Sequence, residues 1–499
     1  MYNIVIGLNT LRMVKIMTKT RKLTAFLLAA SLCSAVSCSS DTVGNTGNSQ
    51  NTASVTDIPT EPSTEPTTEP AGSFLKGNFY DTNGILLTYS EEQPDGSVRR
   101  KYAEEFAEPF ANIITEMSDG YDTAFNDILN EENPTPSAEN KVGKSIQLTL
   151  DANVQKSIYD YMKEQNIVGS VVVLRSDGSI LSQVSYPSYD PNAVKDQKYD
   201  EKLAWGDCGN KAFQNYEPGS CFKIMSAVLA DKHGIYSQYD EGEWDFGGMP
   251  IVNWDHETNK TGYPTQRSLY SAILNSSNIF FAKTFGDIGK EDVLADLSSI
   301  FHFGADEKDD IVCDFGTISN NVEIYCNDDL YRTAFGQSYV LTCPIFLAAL
   351  GREAIMGDMV RPFVLQNIVD TSDGKTVIGE GSKPCDVIAT IPEDYRQSLL
   401  DGMMGVASDI GVYISDDYTF YAKTGTAETW VNDFLYITGF VRNNEEKPNT
   451  KYTDYSNYSD KGSYSVVMQI QNPAEHGLSF ASESAWMYRE IVNLAVGLE

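Results

Sequence analysis

Histidine is scarce in this sequence, four in 499 residues, and positive charge is outnumbered, 37 Lys and Arg against 70 Asp and Glu for a net charge of −33. A surface this acidic repels phosphate backbones, which excludes nucleic acid as a partner. The histidines His233, His256, His302 and His476 show no metal-ligand spacing, and His256-Glu257 has no second His at i+4. Ordinary surface or core roles account for them, and no metal is expected from them. No Gly-x-Ser-x-Gly occurs, and Gly374-Lys375-Thr376 lacks the upstream glycine of a phosphate loop. Those absences argue against the nucleophile-elbow hydrolases and the P-loop nucleotide binders. Of eight cysteines none forms Cys-x-x-Cys, so zinc, redox and haem readings have no support. Cys33 and Cys38 fall in the leader, and Cys208, Cys221, Cys313, Cys326, Cys343 and Cys385 are scattered; Cys313 and Cys326 are spaced to pair across a hairpin. An apolar run of the ~20 residues that span a membrane is missing too. The nearest, Leu23 to Ser40, has 18 residues and is interrupted by serines. What remains is 41% hydrophobic, enough for at least one large core.

The chain divides by texture. Residues 1–38 read as a leader, in which Met17-Thr18-Lys19-Thr20-Arg21-Lys22, the apolar Leu23 to Val36 and Ser37-Cys38 supply the charged, apolar and small-residue parts of an export signal. Met17 fits the true start better than Met1. Ala35-Val36-Ser37-Cys38 resembles a bacterial lipobox, with Ala where Leu is usual, so Cys38 is the expected lipidated residue; an uncleaved anchor is the alternative. Both readings hold the bulk outside the cytoplasm of a bacterium, anchored to the cell membrane. Residues 39–72 are mostly Ser, Thr, Asn, Pro and Glu, ending in three Thr-Glu-Pro repeats, and cannot offset their ordering entropy. They form an extended, disordered tether. Residues 73–145 are a small first unit opening on a hairpin at Asn78 to Leu87, and residues 146–499 have α/β texture. Strands are predicted at Ser170 to Leu174, Ile180 to Val184, Tyr418 to Ala422, Phe434 to Val441 and Tyr464 to Ile470. Helix dominates from Phe222 to Phe301, Arg442 to Gly462 is a long hairpin loop, and a helix over Ser484 to Val496 closes the chain. Strands at both ends with helices between imply one sheet assembled from distant segments.

The chemical signal is Glu217-Pro218-Gly219-Ser220-Cys221-Phe222-Lys223, running into the apolar Ile224 to Ala230. A Pro-Gly turn delivers Ser220 to a helix start, where unpaired N–H groups favour developing negative charge. Lys223, three residues on, shares that helix face, and a desolvated lysine can lose its proton and act as the base a serine nucleophile needs. Leu274-Asn275-Ser276-Ser277-Asn278 interrupts two apolar helical stretches, and Lys423-Thr424-Gly425-Thr426 lies on a strand. Look-alikes at Ser372-Asp373-Gly374-Lys375, Lys260-Thr261-Gly262 and Ser319-Asn320-Asn321 sit in turn or loop contexts. Ser-x-x-Lys, Ser-x-Asn and Lys-Thr-Gly, in that order and context, are the set used by serine β-lactamases and penicillin-binding proteins.

On these motifs, with Ile146 to Asp151, Ser185 to Asn192 and Gly336 to Pro344, the chain resembles the class B penicillin-binding proteins, monofunctional peptidoglycan D,D-transpeptidases. The resemblance spans residues 77–499. It implies the transpeptidase/serine β-lactamase-like fold of the α/β class, a central, mostly antiparallel sheet flanked by helices, preceded by a small pedestal at residues 73–145. It further implies that Ser220 attacks the carbonyl between the terminal D-alanines of a stem peptide and that Lys223 takes its proton. Ser276 would relay a proton to the leaving amine, Asn278 would orient the substrate and Lys223, and Lys423 would support the charge network. Thr424, Gly425 and Thr426 would line the substrate, with the hydroxyls of Thr424 and Thr426 on its carboxylate, and the backbone N–H groups of Ser220 and Thr426 would form the oxyanion hole. β-Lactams would acylate the same serine, and pairing with a membrane glycosyltransferase stays open. Departures are Cys221 beside the nucleophile, read as a packing residue, and Trp430-Val431-Asn432 where the family is aromatic-rich. D,D-carboxypeptidase or serine β-lactamase chemistry is the alternative, and a non-catalytic sensor or scaffold a second.

Overall fold

The computed structural model describes residues 74–115, 120–135, 141–193, 208–413, 415–428, 433–445 and 462–496, all in one unit beginning at Pro70. The export signal, Cys38 and the tether lie outside the described residues, as does Trp430-Val431-Asn432. β1 (Phe79–Tyr80) and β2 (Leu86–Glu92) form the hairpin expected at the Asn-Gly pair. Gly84 there adopts φ +82°, a left-handed turn conformation open to glycine at little cost. β3 (Val98–Tyr102) extends this meander and β4 (Ser145–Leu148) lies parallel to β1.

After β4, Asp151 accepts hydrogen bonds from the N–H groups of Asn153 and Val154 and so starts α1 (Ala152–Glu164). β5 (Gly169–Arg175) and β6 (Ile180–Tyr186) follow as the Ser-Asp-Gly turn predicted. α2 (Lys223–Lys232) is buried from Lys223 through Asp231, a helix with no solvent face to speak of. Between it and α3 (Leu269–Leu274), within the stretch expected to be mostly helical, the chain forms short strand pairs instead. Ser237–Asp240 pairs with Thr265–Ser268, and Glu243–Trp244 with Ile251–Val252. Strands of two to four residues are too short to show a period, and Gly242 (φ +85°) and Gly247 (φ +90°) make the tight turns. α4 (Asn278–Ile288) and the apolar α5 (Pro344–Met356) complete the helical middle that bears on the site.

β7 (Leu365–Val369) then pairs antiparallel with β4, and β8 (Val377–Glu380) with β7, giving a six-stranded sheet in the order β8-β7-β4-β1-β2-β3. α6 (Gln397–Asp409) leads to β9 (Tyr418–Ala427), β10 (Phe434–Asn443), β11 (Tyr464–Ile470) and the closing α7 (Ala485–Val496). These strands meet β5 and β6 in a five-stranded sheet, order β9-β10-β11-β5-β6, antiparallel at every step. The sheet assembled from distant segments is therefore present. The tip of the β10–β11 connection, residues 446–461, lies outside the described residues.

Both faces of the five-stranded sheet are covered. Val171, Val173, Val466 and Met468 pack with Ile158 and Met162 of α1 and Ile491 of α7. Val172, Val467, Tyr436 and Phe440 face the opposite way, into the core containing α5. Double burial explains why β5 reads Val171-Val172-Val173-Leu174 without alternation. Each such side chain contributes about 1.5–3 kcal/mol by leaving water. The cysteine expectation needs correction: Cys313 is buried at the end of the strand Ile311–Cys313, while Cys326 stands exposed before the helix Asn327–Thr333, and both thiols are free. The hairpin at Cys313 closes with Gly316–Ile318, so its partner strand never reaches Cys326.

Candidate active site

Ser220 lies in a 3₁₀ turn, Gly219–Phe222, that feeds directly into α2. A 3₁₀ turn has three residues per revolution, so residues i and i+3 eclipse and Lys223 stands over Ser220 more squarely than an α-helix would set it. Gly219 has φ +53°, and a Cβ on it would collide with the carbonyl oxygen of Thr426. On the other side of the contact, a Cβ on Gly425 would come within 2.8 Å of both Cys221 Sγ and the Pro218 carbonyl. The nucleophile turn thus presses flat on β9 because both surfaces lack a side chain at the crossing. Gly219 N–H also donates to the carbonyl of Gly336, 3.1 Å away. Cys221 is buried in this seam, accepting from Thr438 Oγ1 at 3.5 Å, and burial pushes its thiol pKa up. A thiol held in that form is inert and fills space.

Lys223 Nζ is buried and reaches Ser220 Oγ at 2.9 Å, Asn278 Oδ1 at 2.7 Å, Ser276 Oγ at 3.1 Å and the Ser276 carbonyl at 2.7 Å. Lys423 Nζ, also buried, lies 3.0 Å from Ser276 Oγ and 2.9 Å from the Thr424 carbonyl. Ser276 therefore stands between two amines. Its backbone is left-handed, φ +52°, an uncommon state for serine that turns the chain sharply between α3 and α4. Burial, then the neighbouring charge of Lys423, holds Lys223 well below the ordinary lysine pKa. Burial brings Lys423 down to about 8.

Thr424 and Thr426 line a cleft of about 560 Å³ together with Ser220, Ser276 and Asn278. Thr426 Oγ1 accepts the Ala481 N–H at 3.3 Å, which leaves its hydroxyl hydrogen to donate elsewhere. Since the Thr426 carbonyl faces Gly219, the residue turns its backbone polar groups toward the nucleophile turn rather than toward β10. Every expected site residue from Ser220 to Thr426 is thus brought together, and only Cys38 lies outside the described residues. The three look-alike motifs sit elsewhere: Lys260-Thr261-Gly262 is a mostly exposed 3₁₀ turn, Ser372 to Lys375 a turn beside β7, and Ser319-Asn320 a link between short strands.

Sequence reasoning missed several contributors. Trp254 donates from Nε1 to the Asn275 carbonyl at 2.9 Å and faces Phe480 across the cleft, ring centroids 5.8 Å apart. The Phe335 ring centroid lies 5.9 Å from Lys223 Nζ. Asn253 accepts the Asn278 N–H at 2.7 Å, and Asp240 holds Ser277 and Asn253 from below. None belongs to a short motif; each acts on residues more than ten positions away.

A family model, the penicillin binding protein transpeptidase domain, matches residues 169–492. Penicillin-binding protein 3 of Bacillus subtilis is 26% identical over 360 residues, 68% of this chain and 49% of that protein. The Escherichia coli peptidoglycan D,D-transpeptidase MrdA is 26% identical over 324 residues, 58% and 48% of the two chains. The chain spans about half the length of these relatives. Among solved structures, penicillin-binding protein A from Mycobacterium tuberculosis superposes with a TM-score of 0.68 at 19% identity, covering 85% of this chain and 99% of that one. The D,D-transpeptidase domain of a peptidoglycan glycosyltransferase from Eggerthella lenta gives 0.65 at 20% identity, covering 85% and 98%. These structural likenesses establish the fold. The family match runs through every strand of the five-stranded sheet and all three motif turns, and the chain belongs to the penicillin binding protein transpeptidase family.

Proposed function

We propose that this chain is a peptidoglycan D,D-transpeptidase that works through a Ser220 acyl-enzyme, with residues 146–499 as its catalytic domain. One observation carries the reading: a buried lysine amine, Lys223, within hydrogen-bond reach of a serine hydroxyl that opens on a cleft. Burial and Lys423 favour the neutral amine, which is the form able to accept a proton. Ser220 Oγ bonds to the carbonyl carbon of the penultimate D-alanine as Lys223 takes its proton. The C–N bond then breaks, and the leaving D-alanine amine receives a proton through Ser276, which hydrogen-bonds both lysines. An amine of a second stem peptide attacks the ester, forms the cross-link and frees Ser220. The backbone N–H groups of Ser220 and Thr426 stabilise each oxyanion, a contribution of about 3–4 kcal/mol per donor. Thr424 and Thr426 bind the terminal carboxylate. A β-lactam enters as the same acyl donor, but its ring keeps the leaving amine attached.

The leader pattern supports export and attachment to a bacterial membrane, through lipid on Cys38 or an uncleaved anchor. No helix among the described residues is long and apolar enough to cross a membrane.

Intact mass of the chain after incubation with benzylpenicillin, beside Ser220→Ala, tests the reading. One persistent adduct that vanishes in the variant is the expected result. Hydrolysed antibiotic with no adduct would identify a β-lactamase. Intact antibiotic with no adduct would leave a non-catalytic binding protein.

A further inference from the structure

The turn carrying Ser276 and Asn278 is held from behind by a buried ion pair. Asp240 is fully buried; its Oδ2 accepts from Arg267 Nε at 2.5 Å and from Ser277 Oγ at 2.7 Å. Its Oδ1 accepts from Asn253 Nδ2 at 2.8 Å and from the Gly242 N–H at 3.0 Å. Asn253, thereby fixed with its amide oxygen forward, accepts the Asn278 N–H at 2.7 Å and the Ile279 N–H at 3.3 Å. The neighbouring Val252 carbonyl takes Asn278 Nδ2 at 2.9 Å. That bond sets which end of the Asn278 amide is oxygen, and the oxygen is the end that accepts from Lys223. A continuous path of partners thus leads from Arg267 through Asp240, Asn253 and Asn278 to the catalytic amine.

Buried carboxylates are costly to leave unsatisfied, and this one has each oxygen occupied by partners on three separate stretches of chain. A merely structural ion pair could sit anywhere in the core. This one spends two of its acceptor positions on the residues that aim the Ser-x-Asn turn, and its charge acts on Lys223 itself. The groups acting on Lys223 are Lys423 from β9, Cys221 from the nucleophile turn and Asp240, of which Asp240 alone is a carboxylate. Facing Asp240 is Arg267.

We infer that Asp240 is a positioning residue for the acylation step: through Asn253 and Ser277 it fixes Asn278, and thereby the aim of Lys223. The inference rests on the roles proposed above for Ser220, Lys223 and Asn278.

The test is the second-order rate constant for acylation by a fluorescent penicillin, measured against pH on the full chain, with adduct stoichiometry counting competent sites. Wild type comes first; if it forms no adduct, the transpeptidase reading fails before this one is reached. In Asp240→Asn the rate per competent site is expected to fall about tenfold or more, as a loosened Asn278 misplaces Lys223. The acid limb of the profile should move to lower pH, because removing an anion near Lys223 makes its proton easier to lose. A role in stability alone would lower the number of competent sites and leave both rate and limb unchanged, and that result overturns the inference. Should Asp240→Asn fail to fold, the double variant Asp240→Asn with Arg267→Gln leaves no lone buried charge. It carries the same expected loss of rate per site, and wild-type kinetics in it would be equally fatal.

Discussion

At the scale of single residues, the two lysines of the cleft set stability against chemistry. Lys423 is buried and its pKa stands at about 8, so the folded protein sheds this proton more readily than the unfolded chain, where lysine titrates near 10.4. Between those values the unfolded state binds more protons, and stability rises with pH; below about 8 the charged amine is retained at a cost. Lys423→Met should therefore abolish acylation yet raise unfolding free energy at pH 7 by on the order of 1 kcal/mol, a gain that shrinks as pH approaches 10. Urea titrations of both proteins at pH 7 and pH 9.5 would check it, and a variant less stable at both values refutes it. The members of this cluster were legible in the sequence because each sits in a motif of three or four residues with its own helix, turn or strand context. Asp240 and Asn253 were not, since a polar residue in a run such as Asp240-Glu241-Gly242-Glu243 reads as solvated surface until tertiary contacts bury it.

At the scale of elements, catalytic geometry depends on how closely the nucleophile turn lies against β9. Gly425→Ala would bring a methyl within 2.8 Å of Cys221 Sγ and the Pro218 carbonyl, and one of those is backbone that cannot swing aside. The expected cost is about 1–3 kcal/mol of stability and at least tenfold in acylation rate, read from thermal unfolding and penicillin kinetics on the same preparation. Cys221→Ala, which removes volume from the same seam instead of adding it, should cost about 1 kcal/mol and leave acylation within severalfold of wild type. If the two variants lose activity alike, seam closeness is not what matters. Strands β5, β6, β10 and β11 and helix α7 were predictable because each is long enough to show its period or its apolar run. The paired strands between α2 and α3 were hidden for the opposite reason, and the site depends on them: Asp240 and Asn253 both come from that stretch.

At the scale of the whole molecule, the net charge of −33 leaves like charges crowded around a compact body. Screening should relieve part of that repulsion. Raising sodium chloride from about 20 mM to about 300 mM, which shortens the screening length about fourfold, is expected to move the urea midpoint upward; an unchanged or lowered midpoint would show the carboxylates already balanced by their partners. Chain-wide pairing was the least legible level. One sheet was inferred from strands at both ends of the second segment, but nothing in a two-residue strand at Phe79–Tyr80 announces a parallel partner at Ser145–Leu148, or that this partner also pairs with Leu365–Val369. That pairing has a mechanical meaning. The described residues begin at Phe74, five positions ahead of β1, and β1 is flanked on both sides by other strands. Tension arriving along the chain from its N-terminal side would meet the bridge of Leu75 to Val142 first and then the hydrogen bonds of the two-residue β1 to β2 and β4, so both flanks must yield before β1 comes away. For the transpeptidase proposed above, such pairing would keep the start of the described fold in place under a pull from that side.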